Sequence, residues 1–258
     1  MDLGIKGKNA LVTGGSRGLG RGAALSLAGE GVNVAICGRT SGTLVETVSD
    51  IEALGVSSLG VVADVSDTAS LSALHSRVSD ELGPIDILVN NVGGSGAKAD
   101  IDDTSLDDLR AVFDLNLFGG YELMRLVLPQ MKERNWGRII NIASIFGREH
   151  GGKLSYMAAK AALIATTKHA AVSLAKSGVL VNSIAPGSIL HAGGSWERFE
   201  RDNPPEVVEK FIGDNLPMGK WGWPEPVGDL VAFLASDRAD LMTGACIVVD
   251  GGQSHSMI

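Results

Sequence analysis

Tyr156 and Lys160 stand four residues apart in Ser155-Tyr156-Met157-Ala158-Ala159-Lys160. On a helix that spacing turns both side chains to one face, where they can meet the same ligand. A free phenol ionises near pH 10. One ammonium at about 4 Å in an effective dielectric of about 20 favours the phenolate by roughly 4 kcal/mol, and desolvation opposes it in part. The pair therefore describes a phenol poised to give or take a proton near neutrality, as general acid–base chemistry on a carbonyl or an alcohol requires. Ser144 closes Asn141-Ile142-Ala143-Ser144, an apolar run that reads as a strand. A hydroxyl at the carboxyl edge of a parallel sheet faces the ligand crevice and can donate to a substrate oxygen. Each feature has a plainer alternative, because Tyr-x3-Lys arises by chance on surface helices and a strand-end serine often caps the next turn.

A second constellation precedes these. The strand-like Ala10-Leu11-Val12 runs into Thr13-Gly14-Gly15-Ser16-Arg17-Gly18-Leu19-Gly20, and a helical pattern follows directly. Glycines Gly14, Gly18 and Gly20 let the backbone turn tightly and approach a pyrophosphate, which Ser16, Leu19 and the free N–H groups at the helix start would cradle. A side chain at Gly18 or Gly20 would occupy that space. The spacing is Gly-x3-Gly-x-Gly rather than the commoner GxGxxG, and taken alone the turn also fits a simple helix entry. After the second strand comes Ile36-Cys37-Gly38-Arg39-Thr40, with no carboxylate before Glu46. A carboxylate there would accept from a ribose 2′-OH, whereas Arg39, with Arg17 as a second cation, suits a 2′-phosphate. NADP(H) is therefore favoured over NAD(H), the alternative being that both arginines are merely solvated.

These residues need a scaffold that brings strand ends together. Short apolar runs at Ala10–Val12, Val32–Ile36, Leu59–Val62, Ile87–Val89, Ile139–Ile142, Leu180–Ile184 and Ile247–Val249 alternate with helical patterns at about 18–30, 41–54, 67–82, 105–134, 155–177 and 224–236. That alternation predicts an α/β fold, a doubly wound Rossmann-type domain with a parallel sheet of about seven strands. No linker composition interrupts it, so residues 1–258 are expected to form one catalytic domain. From His191 to Trp223 the rhythm breaks, with Gly193-Gly194, Pro204-Pro205 and the aromatics Trp196, Phe199, Phe211, Trp221 and Trp223. This stretch, within about 188–223, is expected to be an irregular substrate lid, or else a surface excursion packed on a neighbouring subunit. Its aromatics hint at an apolar pocket or a local core.

The 258 residues carry 22 Lys+Arg against 30 Asp+Glu, a net charge of −8. That balance gives no basic field for nucleic acid or anionic lipid, so a small-molecule carbonyl or alcohol substrate is the expected partner. Cys37 and Cys246 sit in no CxxC pair, and the five histidines show no metal-ligand spacing, so no metal is expected. No leader or apolar run of spanning length is visible, which makes the expected location cytoplasmic.

The Thr13–Gly20 turn, Asp64-Val65, Asn90-Asn91-Val92-Gly93, Asn116, Ser144, Tyr156-x3-Lys160 and Pro186-Gly187 together resemble the short-chain dehydrogenase/reductase family. In pattern the chain is nearest to that family's 3-oxoacyl-acyl-carrier-protein reductase-like members. The resemblance implies that Asp64 and Val65 border the adenine, that Asn90 lies beside the cofactor, and that Pro186, Gly187 and Ile189 hold the nicotinamide end. It further implies that Asn116 holds a water relaying protons to Lys160, that Lys160 also grips the nicotinamide ribose, and that the chain forms a homotetramer. The implied activity is hydride transfer between NADP(H) and a ketone or secondary alcohol, 3-oxoacyl-like or another apolar ketone. A nucleotide-binding redox sensor of the same fold is the alternative. One departure stands out: His191 occupies the place where many members carry a threonine, so either Ser188 or His191 substitutes. The Lys168–Lys176 stretch is small and apolar in its middle, unlike the carrier-protein-facing helix of the ketoreductases. Arg148, His150 and Lys153 face either a polar substrate or solvent.

Overall fold

Strands made almost wholly of β-branched and aliphatic residues are stable when both faces are covered, and this chain covers both. The computed structural model describes residues 1–257. Its sheet comprises β1 (Asn9–Thr13), β2 (Asn33–Gly38), β3 (Ser58–Val62), β4 (Ile87–Asn90), β5 (Gly137–Ile142), β6 (Val179–Pro186) and β7 (Cys246–Val249). All pairings are parallel, in the order β3-β2-β1-β4-β5-β6-β7. All seven expected strands are present; six are extended by one or two residues at one or both ends, and the second starts at Asn33 rather than Val32 and runs two residues further, to Gly38.

Alternate residues of each strand enter opposite layers. Val12, Ile36, Val89 and Ile140 pack with α1 (Gly18–Gly29), α2 (Ser41–Glu52) and α9 (Pro224–Ala235). Leu11, Ala35, Leu88 and Ile139 pack with α3 (Thr68–Leu82), α5 (Gly119–Glu133) and α6 (Leu154–Leu174). The chain runs outward from β1 to β3 and then returns to place β4 beside β1. The strand order therefore reverses between β1 and β4, and a crevice opens beyond their carboxyl ends.

Two expectations need correction. The single helix expected over 105–134 is α4 (Leu106–Phe113), a π-helical turn (Asp114–Phe118) and α5. The wider turn carries Asn116, whose Nδ2 donates to the Val112 carbonyl at 2.8 Å. Periodicity cannot register a local change of pitch inside a continuous helical run. The region expected to be irregular contains α7 (Ser195–Asp202) and α8 (Pro205–Asn215). Most residues of α7 are charged, and the two helices are held by four rings. Trp196, Phe199, Phe211 and Trp221 stack on one another with centroids 4.9–6.3 Å apart, so they form a local core. Trp223 stands apart beneath Lys220. Among the described residues no helix is long and apolar enough to cross a membrane.

Candidate active site

Ser144 leaves the carboxyl end of β5 and enters a 3-10 turn (Ile145–Gly147), where its Oγ accepts from Phe146 N–H at 3.2 Å. It is thus a cap, as the plainer reading held, and its own proton stays free to donate. Tyr156, in the first turn of α6, presents its hydroxyl to Ser144. Burial raises the phenol above its ordinary value, and the Ser144 hydrogen bond opposes that. Lys160 is buried one turn later on the same face, with Nζ 5.6 Å from the Tyr156 ring centroid and donating to the Ile142 carbonyl at 2.7 Å. Burial lowers its ammonium to about 8.

Desolvation penalises the charged form of both groups and is the largest cause of the shift at each.

Asn116 closes the far side. Its Nδ2 donates to Gly94 O at 2.9 Å and its Oδ1 accepts from Gly94 N–H at 3.1 Å, clamping the loop after β4. A Cβ on Gly93 would lie 2.8 Å from Asn116 Oδ1 and 3.0 Å from Lys160 Nζ. Gly93 thus keeps open the space in which the amide and the ammonium meet. Asn90 pairs with its β5 neighbour, Nδ2 donating to Asn141 Oδ1 at 2.9 Å. Its Oδ1 is buried without a partner among the described residues, in a cleft also lined by Thr13, Val65, Val92, Asn116 and Gly120. Lys153, weighed as a substrate contact, is spent on the Gly96 and Ala97 carbonyls at 2.7 and 2.9 Å. Arg148 is half-buried and His150 exposed.

The glycine turn lies where it was expected, at the N-terminus of α1. That terminus has no capping side chain and no acidic residue in its first turn, so its N–H groups and positive dipole end suit an anion. The space that the glycines protect is partly the protein's own. A Cβ on Gly20 would lie 2.2 Å from Gly14 O, and one on Gly18 would lie 2.6 Å from the His191 ring. Ser16 Oγ lies beside Gly38. The half-buried Leu19 packs on the core layer of α1. Arg17 and Arg39 are exposed, and neither forms an ion pair among the described residues. Arg17 leans towards Gly193, before α7, whereas Arg39 lies close enough to Asp64 for its charge to lower that carboxyl, after the larger effect of Ser66. The two cations therefore diverge more than their placement in sequence suggests. Val65 is buried under Gly119, where a Cβ would lie 2.0 Å from Val65 O.

Pro186 ends β6, Gly187 N–H donates to Val249 O at 3.1 Å, and the buried Ile189 bridges to Gly222. An apolar hollow of about 150 Å³ is lined by Ile189, Leu216, Met218, Trp221, Trp223 and Pro226, and it includes neither Ser144 nor Tyr156.

Several positioning residues are passed over by sequence reasoning. Asn91 Nδ2 donates to Thr13 O and its N–H to Thr13 Oγ1, both at 2.9 Å, tying the glycine turn to β4. Gln253 Oε1 accepts from Ser188 N–H at 2.7 Å, and Glu149 Oε2 accepts from the His255 and Ser256 N–H groups at 2.7 Å. The C-terminal tail is thereby strapped to the loops after β5 and β6. The Asn90-Asn91 pair is a signal visible in sequence; the tail contacts have none.

A family model described as enoyl-(acyl carrier protein) reductase matches residues 14–254. The 3-oxoacyl-[acyl-carrier-protein] reductase FabG of Staphylococcus aureus (strain Mu50) is 37% identical over 249 residues, which are 95% of this chain and 97% of that one. Among solved structures, L-sorbose reductase from Gluconobacter frateurii, complexed with NADPH and L-sorbose, superposes with a TM-score of 0.92 at 30% identity over 100% of both chains. A 7α-hydroxysteroid dehydrogenase complexed with NADH and 7-oxo glycochenodeoxycholic acid superposes with a TM-score of 0.89 at 30% identity, covering 100% of this chain and 98% of that one.

Proposed function

The chain belongs to the short-chain dehydrogenase/reductase family, an oxidoreductase of carbonyl and CH–OH groups that uses a nicotinamide cofactor, and on that premise we propose an NADP(H)-dependent ketone reductase and secondary-alcohol dehydrogenase. The observation that carries the reading is the convergence of Ser144, Tyr156 and Lys160 at the carboxyl edge of β5, with Tyr156 against Ser144. Residues 1–258 act as one catalytic domain in this reading, with 188–223 as its lid.

The crevice fits a dinucleotide. The uncapped start of α1, with Gly14, Ser16, Arg17, Gly18, Leu19 and Gly20, takes the diphosphate; Asp64 and Val65 border the adenine. The orphan Oδ1 of Asn90 gives a buried acceptor beside the cofactor, and Pro186, Gly187 and Ile189 wall the nicotinamide end. Arg39 takes the 2′-phosphate. Support for NADP(H) over NAD(H) comes from the absence of a carboxylate between Arg39 and Glu46 and from the lack of an ion-pair partner for Arg39 among the described residues. When bound, the nicotinamide supplies or accepts the hydride. Ser144 donates to the substrate oxygen and fixes its position. Tyr156, kept protonated by burial, gives that oxygen its proton during reduction and takes it back during oxidation. Lys160 would grip the ribose, and Asn116 across Gly93 would hold a water that relays protons to Lys160.

A 3-oxoacyl-like or other apolar ketone is the proposed substrate class, in keeping with the likeness to the Staphylococcus aureus reductase. A cytoplasmic homotetramer belongs to the same proposal. The exposed Phe118, Tyr121 and Val172 beside and along α5 and α6 support it, since they leave apolar surface on the faces the family uses for contact.

The test is a ketone and alcohol panel, run with NADPH and NADH in parallel and followed by the absorbance of the reduced nicotinamide. Turnover of ketones with NADPH preferred is the expected result. Tight nucleotide binding without turnover would instead favour a redox sensor.

A further inference from the structure

Ser188 and His191 are the two candidates for the place of the missing threonine, and the fold gives them different work. Ser188 is taken by the tail, its N–H donating to Gln253 Oε1 at 2.7 Å and its Oγ accepting from Gln253 Nε2 at 2.9 Å. His191 leaves the nicotinamide end altogether and lies over the glycine turn. A Cβ on Gly18 would meet its Cε1, Nδ1 and Nε2 at 2.6, 2.7 and 2.8 Å, and one on Gly194 would lie 2.9 Å from Cε1.

The tautomer follows from one contact. Nδ1 lies 3.1 Å from the Ala192 carbonyl. A carbonyl only accepts, so Nδ1 carries the hydrogen and Nε2 is the ring's one variable atom. Unprotonated, Nε2 is an acceptor and has nothing to offer a phosphate oxygen, which is itself an acceptor. With a second proton it becomes a charged donor next to the uncapped N-terminus of α1. The charged groups around it are Arg17 of the turn, whose Nη1 would lie 2.5 Å from a Cβ on Gly193, and Glu197 and Arg198 of α7. Glu197 Oε2 accepts from Gly193 N–H at 2.7 Å, and Arg198 Nη1 donates to Gly193 O at 3.0 Å. Both are engaged with lid backbone.

We propose that His191 is a proton-dependent ligand of the nucleotide diphosphate, latching the lid to the glycine turn when its ring is charged. This rests on the dinucleotide site proposed above. Dissociation constants for NADPH and for NADH, read from nicotinamide fluorescence, would be compared for wild type, His191→Leu and His191→Asn between about pH 6 and 8.5. The Leu variant, lacking any donor, is expected to bind roughly tenfold more weakly than wild type near pH 6 and about equally near pH 8.5. The Asn variant, a neutral donor at any pH, is expected to bind about as tightly as wild type near pH 6 and more tightly than wild type near pH 8.5. Taking the ratio to wild type cancels titration of the 2′-phosphate, and the same pattern must be seen with NADH, which has none. A Leu-to-wild-type ratio that is flat with pH, or unchanged affinity of the Leu variant near pH 6, overturns the latch alone. Failure of wild type to bind either nucleotide overturns the underlying site and the latch with it.

Discussion

Burial acts on Tyr156 and Lys160 in opposite senses, pushing the phenol up and the ammonium down to about 8. Each group therefore leans towards its uncharged form, and Tyr156 keeps its proton for ketone reduction through neutral and mildly alkaline pH. Tyr156→Phe should lower kcat for reduction by about 10²–10⁴-fold while leaving NADPH affinity in place, as steady-state rates and a fluorescence titration would show. Lys160 makes a separate demand on stability. Its folded value lies below the ordinary 10.5, so between about 8 and 10.5 the unfolded chain binds more protons and stability rises with pH. Below about 8 the penalty of the buried charge is complete. Lys160→Met should therefore gain about 1–2 kcal/mol at pH 7, after loss of the hydrogen bond to Ile142, and that gain should shrink towards pH 10.5. Urea unfolding at the two pH values checks this, and the same variant should be inactive.

Helix α1 can present its N-terminus to the crevice because α9 approaches it closely on the other side. A Cβ on Gly228 would lie 2.6 Å from Gly22 O, a backbone atom that cannot swing away. Gly228→Leu is expected to cost about 1–3 kcal/mol or more by overpacking, read as a lower Tm. Gly213 in α8 has nothing within 4 Å of its would-be Cβ, so Gly213→Ala should be neutral or stabilising by up to about 1 kcal/mol. The π-helical turn does comparable work between α4 and α5. It sets Asn116 where one amide reaches both Val112 O and the Gly94 backbone. Helices α7 and α8 depend on four mutually packed rings rather than on the main core.

At the scale of the whole molecule, the reversal of strand order between β1 and β4 gathers the glycine turn, Asn90, Ser144 and Pro186 along one edge of the sheet. The opposite faces of α5 and α6 stay exposed. Light scattering on the purified chain should give four times its mass, and a monomer at micromolar concentration would remove the tetramer from the proposal. The sequence alone determined the seven strands, their parallel class, the glycine turn and the Ser144–Tyr156–Lys160 set. All of these are written in local patterns: apolar runs, helical period, and residue types at strand ends. Only the tertiary structure decided that Gly20 makes room for Gly14 and Asn91, that Lys153 is spent on Gly96 and Ala97, that His191 crosses to Gly18, and that burial raises the Tyr156 phenol. Those outcomes depend on distances between segments far apart in the chain and on how much water each group loses. Spacing along a chain encodes neither.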